Sequence, residues 1–363
     1  MDFIDLKSQY HGLQNNINLR IKNVLQHGQY ILGPEVSELE NKLASYTEAE
    51  FCIAVSSGTD ALLISLMALG IGPGDEIITS PFSFISAVEV ITLLGAKPVF
   101  ADIEHDTCNI NALLIAEKIT PQTKAIIPIS IFGQPSDMDS INNLAAKHNL
   151  VVIEDAAQSF GATYKNKKSC NLSAIGCTSF FPTKPLGCYG DGGAIFTSDR
   201  NLAALFLEIR VHGQKEKYIH NRVGLGGRID TLQAAILIAK LENFSYELHQ
   251  RAELAEKYNE AFKGKVNVIN VKENRTSVYA QYTIIIKNRD QVKNALTREG
   301  IPSAIHYPLP IHLQPAYKIL CCPNCLPVAE ELANNVLSIP FSPYLKRRDQ
   351  SRIINTILSQ LDK

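Results

Sequence analysis

The chain has 363 residues, of which 45% are hydrophobic and 20% charged, with a formal net charge of −1. That length is too great for one small core and suits two domains, or one large α/β domain with an appendage. The even charge balance excludes a surface drawn as a whole to nucleic acid or anionic membrane, and eight cysteines in so long a chain read as reduced thiols rather than a disulfide framework.

The N-terminal run Met1-Asp2-Phe3-Ile4-Asp5 carries acids where a secretory leader carries lysine or arginine. The longest apolar runs, such as Ala234 to Ala239, are too short to cross a bilayer, so a cytoplasmic location is expected. From Glu50 to about Arg200, short apolar runs alternate with helical patterns, which argues for a mainly parallel sheet covered by helices. Phe51 to Val55 reads as a strand. The helix opening at Gly58 places Leu62, Leu66 and Leu69 on one face and stops at Gly70 and Gly72-Pro73-Gly74. Further strands are expected at Glu76 to Thr79, Lys97 to Phe100, Ala125 to Ile131, Leu150 to Glu154 and Ala194 to Thr197. A long helical stretch follows from about Thr231 to Lys263, then an alternating segment, Ala280 to Ile286. These patterns divide the chain into a large unit, residues 1–240, and a smaller α+β unit, residues 241–363. The cluster Cys321-Cys322-Pro323-Asn324-Cys325 has no second pair at zinc-site spacing and reads as a Pro-rich surface loop, with no metal expected.

Five motifs carry chemistry. Ser57-Gly58-Thr59-Asp60 opens a helix, where unpaired backbone N–H groups form an anion cup, with Gly58 and Thr59 as donors. Ser80-Pro-Phe-Ser-Phe84 follows a strand and offers Phe84 to stack on a heteroaromatic ring. Glu154-Asp155 ends an apolar strand, where a buried carboxylate needs a partner, and Gln158 lies three residues on. Ser179-Phe-Phe-Pro-Thr-Lys184 places a lysine in a context unlike a surface, and Gly187, Gly190, Gly192 and Gly193 follow with Asp191 among them. An amine downstream of a strand that ends in an acid is the arrangement that holds pyridoxal phosphate. The lysine makes a Schiff base with the cofactor aldehyde, and the acid keeps the pyridine nitrogen protonated. His306-Tyr307-Pro308, in the smaller unit, supplies donors for a substrate.

In this order the motifs resemble the sugar-nucleotide aminotransferases of the DegT/DnrJ/EryC1/StrS family. Supporting stretches include His27 to Glu35, Ser56 to Leu62, Glu154 to Gly161, Ser179 to Gly187, Arg228 to Ala235 and His306 to Pro308. The resemblance implies an aspartate-aminotransferase-like α/β fold and pyridoxal 5'-phosphate as cofactor, with Lys184 and Asp155 catalytic. It assigns Gly58, Thr59, Phe84, Asp155, Gln158, Ser179 and Lys184 to the cofactor, and Arg228, His306 and Tyr307 to the substrate. It further implies a homodimer with shared active sites and transfer of an amine from L-glutamate to a 3-oxo nucleotide sugar. Lys168 to Ser173 and Pro185 to Gly193 are most similar to members acting on UDP-2-acetamido-2-deoxy-3-oxo-glucuronate, in surface-polysaccharide (O-antigen) synthesis. A dTDP-linked 3-oxo or 4-oxo hexose is the alternative substrate. A dehydratase is disfavoured because Lys184 stands where those members carry histidine. One departure is Gly226, two positions before Arg228, where related sequences usually carry an asparagine.

Overall fold

The computed structural model describes residues 1–320 and 324–361. At its centre is a seven-stranded sheet with the spatial order Phe51–Val55, Gly193–Thr197, Ile175–Ser179, Val151–Asp155, Thr123–Ile127, Glu76–Thr79 and Lys97–Phe100. Six of the strands point the same way, and Gly193–Thr197 runs antiparallel to both its neighbours.

Strands joined through covering helices must be apolar on both faces. Accordingly, Ile53, Ile77, Ile127 and Ile153 enter one core with Leu62 and Leu66 of the helix Gly58–Ala68. Their neighbours Ala54, Ile78, Ile126 and Val152 enter clusters on the other side. The helix starts where the Ser57 hydroxyl accepts the Asp60 N–H at 3.0 Å and stops ahead of Gly70, whose φ of 70° suits glycine.

Strand Phe51–Val55 would otherwise expose an unpaired edge. Glu40 accepts the Ala54 N–H at 2.9 Å, and Arg210 donates to the Ala54 carbonyl at 2.8 Å while pairing with Glu40 at 2.5 Å. Arg210 is buried, so removing its partner leaves an uncompensated charge. Glu40→Ala is therefore expected to lower the unfolding free energy by about 3 kcal/mol, read by urea denaturation.

The C-terminal region forms a three-stranded antiparallel sheet from Asn267–Val268, Tyr282–Ile285 and Val336–Ile339. Helices Phe244–Phe262, Arg289–Arg298 and Arg347–Leu358 pack on it around Tyr258, Tyr282 and Phe341. The Tyr258 and Tyr282 rings lie 4.7 Å apart, and the Tyr258 hydroxyl donates to the Pro340 carbonyl at 3.0 Å. A further cluster joins Phe82, Phe100 and Phe132 to Ile311, Leu332 and Val336, which brings this region over the carboxyl ends of the parallel strands. Among the described residues no helix is long and apolar enough to cross a membrane.

Three expectations need correction. The helical stretch from Thr231 to Lys263 is two helices, Thr231–Leu241 and Phe244–Phe262, broken at Glu242 and Asn243. The strand expected from Ala125 to Ile131 ends at Ile127, because the chain then bends through Ile131–Gly133, with Phe132 at φ 59°. Among the described residues five cysteines are free and buried, but Cys325 is in a disulfide, so the reading of every cysteine as a thiol fails there. Cys321, Cys322 and Pro323 of the loop lie outside the described residues.

Candidate active site

Where parallel strands end, the loops that leave them diverge and open a crevice. Here a cavity of about 440 Å³ lies at that edge, lined by Gly58, Thr59, Phe84, Asp155, Gln158, Ser179, Lys184, His306 and Tyr307. Nine of the ten site residues expected from the sequence therefore converge. Arg228 does not line the cavity of its own chain. It forms a backbone bridge to Val55, and its Nε is buried without a partner.

The two acids ending Val151–Asp155 separate because successive strand side chains point to opposite faces. Glu154 is fully buried away from the cavity and accepts from the Ser169 hydroxyl at 2.6 Å and the Cys170 N–H at 2.9 Å. Burial nonetheless pushes its carboxyl up to about 7. Asp155 faces the cavity and accepts one hydrogen bond, from the Ala157 N–H at 3.0 Å. Burial raises its pKa, against the opposing influence of that N–H and the Lys184 charge. Burial lowers the Lys184 amine, and the Asp155 charge opposes that shift. The pair is thus an amine and a carboxyl, each shifted toward its neutral form by burial and each partly restored by the other.

Gln158 is fixed by its neighbours. Its Oε1 accepts the Phe132 N–H at 2.9 Å, and its Nε2 approaches the Tyr307 hydroxyl at 3.5 Å. Burial, then the Asp155 charge, pushes the Tyr307 phenol up to about 12, so it stays protonated at neutral pH. His306 shares its Nδ1 with the Ser338 hydroxyl at 2.9 Å, and burial, then the Lys184 charge, lowers its pKa. Phe84 is 56% exposed and lines the cavity wall.

Gly58 and Ser179 touch so closely that a Cβ on Gly58 would lie 2.6 Å from the Ser179 Cβ. Glycine there lets the start of the helix Gly58–Ala68 approach the serine hydroxyl, and the two form one cradle of N–H and O–H donors. Gly226 sits where a Cβ would come within 3.2 Å of the His212 ring, which accounts locally for a missing side chain.

Sequence reasoning did not assign Gln281, Ser83 or Thr183 to the cavity, although all three line it. Gln281 immediately precedes the strand Tyr282–Ile285, with its Oε1 buried and unpartnered, and nothing in an alternating strand pattern marks such a residue.

A model of the DegT/DnrJ/EryC1/StrS aminotransferase family matches residues 12–358. The chain belongs to this family. It is 51% identical over 346 residues to the UDP-2-acetamido-2-deoxy-3-oxo-D-glucuronate aminotransferase of Pseudomonas aeruginosa, covering 95% of this chain and 96% of that one. The structure of S. venezuelae DesV in complex with a ketimine intermediate is similar at a TM-score of 0.97 and 36% identity, covering 100% of this chain and 98% of that one. A Bacillus subtilis protein solved with bound cofactor PMP is similar at a TM-score of 0.90 and 30% identity, covering 97% and 82% of the two chains. This member of the DegT/DnrJ/EryC1/StrS family accordingly has the α/β aminotransferase fold expected from its sequence.

Proposed function

We propose that this chain is a pyridoxal-phosphate-dependent aminotransferase that moves an amine from L-glutamate onto C3 of UDP-2-acetamido-2-deoxy-3-oxo-D-glucuronate, in surface-polysaccharide (O-antigen) synthesis. One observation carries the reading: Lys184 and Asp155 line a single cavity beside the Gly58–Ser179 cradle. The likeness to the P. aeruginosa enzyme, 51% identical, supports the choice of sugar.

The residues fit the cofactor. The cradle is closed to any side chain on Gly58 and offers the Gly58 and Thr59 N–H groups with the Ser179 hydroxyl to a phosphate. Asp155, buried with a single hydrogen bond, suits a protonated ring nitrogen. Gln158 would meet the ring hydroxyl, and Phe84 would cover a ring face. When bound, the cofactor supplies an electron sink for the charge left at the donor Cα.

Within this reading Lys184 has two tasks. Its Nζ would attach the cofactor at rest. Once freed, with burial lowering its pKa, it would take the proton from the Cα of the donor; in the reverse half it would deliver one to C3 of the sugar. Asp155 keeps the ring proton in place throughout. Tyr307 and His306 face the sugar, the first as a hydroxyl donor and the second as a neutral ring. The uronate carboxylate then needs a cation from elsewhere. We assign that task to Arg228 reaching a neighbouring subunit's cavity in a homodimer, consistent with its absence from its own. A cytoplasmic location, and a division into a large unit of residues 1–240 and a small unit of residues 241–363, belong to the same reading.

Gly58→Ala tests the cradle. Overpacking of this kind costs about 1–3 kcal/mol, so the dissociation constant for pyridoxal phosphate should rise about 5- to 150-fold. Titration of the visible absorbance reads it. The whole reading is tested by following the colour of the loaded protein. Yellow colour lost with L-glutamate and restored by the UDP-linked 3-oxo-glucuronate supports both halves. Colour lost but restored only by a dTDP-linked keto-hexose would replace the sugar, and no yellow form at all would overturn the cofactor.

A further inference from the structure

The amine of Lys240 has no part in the chemistry above, yet it is buried and bonded to the segment that carries Lys184. Lys240 is 2% exposed on the helix Thr231–Leu241. Its Nζ donates to the Gly187 carbonyl at 2.6 Å and lies 4.2 Å from the centroid of the Tyr189 ring. Gln233 stands two turns earlier on the same helix face. Its Oε1 accepts the Tyr189 N–H at 2.8 Å. Two side chains of one helix therefore grip residues 187 and 189, three and five positions past Lys184.

The loop they grip is tightly closed. The Lys184 N–H donates to the Phe181 carbonyl at 2.9 Å, and the Cys188 N–H donates to the Phe180 carbonyl at 2.8 Å. A Cβ on Gly187 would lie 2.6 Å from both the Phe181 and Pro182 carbonyl oxygens, so the backbone there has no slack. Burying an ammonium is costly unless its bonds are specific, and an apolar residue of equal volume is often as good or better for stability alone. Burial pulls the Lys240 amine down to about 8, with the Glu247 charge opposing it. A donor kept at that cost, aimed at the carbonyl three residues past Lys184, serves the position of the loop.

We propose that Lys240, together with Gln233, is a positioning residue that pins Gly187 and Tyr189 and so holds the Lys184 amine toward the cavity. The inference rests on the aminotransferase reading of Lys184. Lys240→Met keeps the length and removes the donor. In cofactor-free Lys240→Met, amide hydrogen exchange across residues 180–190 is expected to quicken about tenfold while the central strands keep wild-type rates. In the loaded variant, kcat should fall about tenfold with KM for glutamate changed less than about twofold. Gln233→Leu removes the second grip and should give the same local signature if Lys240→Met does not fold. Wild-type exchange at residues 180–190 in the folded variant, or an equal rise in the central strands, would overturn the proposal. Wild-type protein that never turns yellow would instead sink the aminotransferase reading, and the exchange data would still decide whether the loop is pinned.

Discussion

Lys184→Ala is expected to lower kcat by about four orders of magnitude or more, because it removes both the attachment point and the proton carrier. The fold should survive. The Lys184 side chain is only half-buried, and the loop around it is closed by backbone bonds, Lys184 N–H to Phe181 and Cys188 N–H to Phe180, that alanine retains. The variant should still take up pyridoxal phosphate through the cradle, with weaker retention on dialysis, and form no 2-oxoglutarate from L-glutamate. Lys184→Arg is an informative companion. Arginine stays charged where burial pulls lysine toward its neutral form, so it cannot accept the Cα proton and should be about as inactive. Release of 2-oxoglutarate in a single turnover is the readout, and activity within about tenfold of wild type in either variant would refute the role.

Asp155→Asn is expected to cost about a thousandfold in kcat, since a neutral amide cannot keep the ring nitrogen protonated while charge accumulates on it. Cofactor affinity should change far less, because the cradle and Phe84 are untouched. The same substitution has an opposite consequence for stability without cofactor. Burial raises the Asp155 pKa, so the folded protein binds its proton more tightly than the unfolded chain does. Stability contributed by that proton is fully present below the ordinary aspartate pKa and is lost as pH rises through the raised folded value. At neutral pH, cofactor-free Asp155→Asn should therefore melt no lower than wild type. Its advantage should vanish in acid, where both carry a neutral group. Thermal melts of the cofactor-free proteins at neutral and acid pH read the sign.

Much of this architecture was legible in the sequence for a simple reason. Strands such as Phe51–Val55 and Val151–Asp155 are short apolar runs bounded by polar or glycine-rich turns, and both faces are buried. The motifs at their carboxyl ends then had to meet at one edge, because the strands carrying them run parallel. What escaped reading was set by tertiary contact. No glycine or proline marks the break at Glu242 and Asn243, so the helical pattern ran on through it. The Glu154 carboxylate looked equivalent to Asp155 until the strand's alternation turned it toward Ser169. Gln281 and Lys240 matter through what they face, the cavity and the Gly187 carbonyl, and neither partner is near in sequence.

The account stands or falls on Lys184 as the residue that carries the cofactor. The direct measurement is borohydride reduction of protein loaded with pyridoxal phosphate, followed by proteolysis and mass mapping of the peptides. One phosphopyridoxyl group per chain, on the peptide containing Lys184 and prevented by prior treatment with L-glutamate, is the predicted result. Label on another lysine, or none on a protein that has taken up the cofactor, would contradict it.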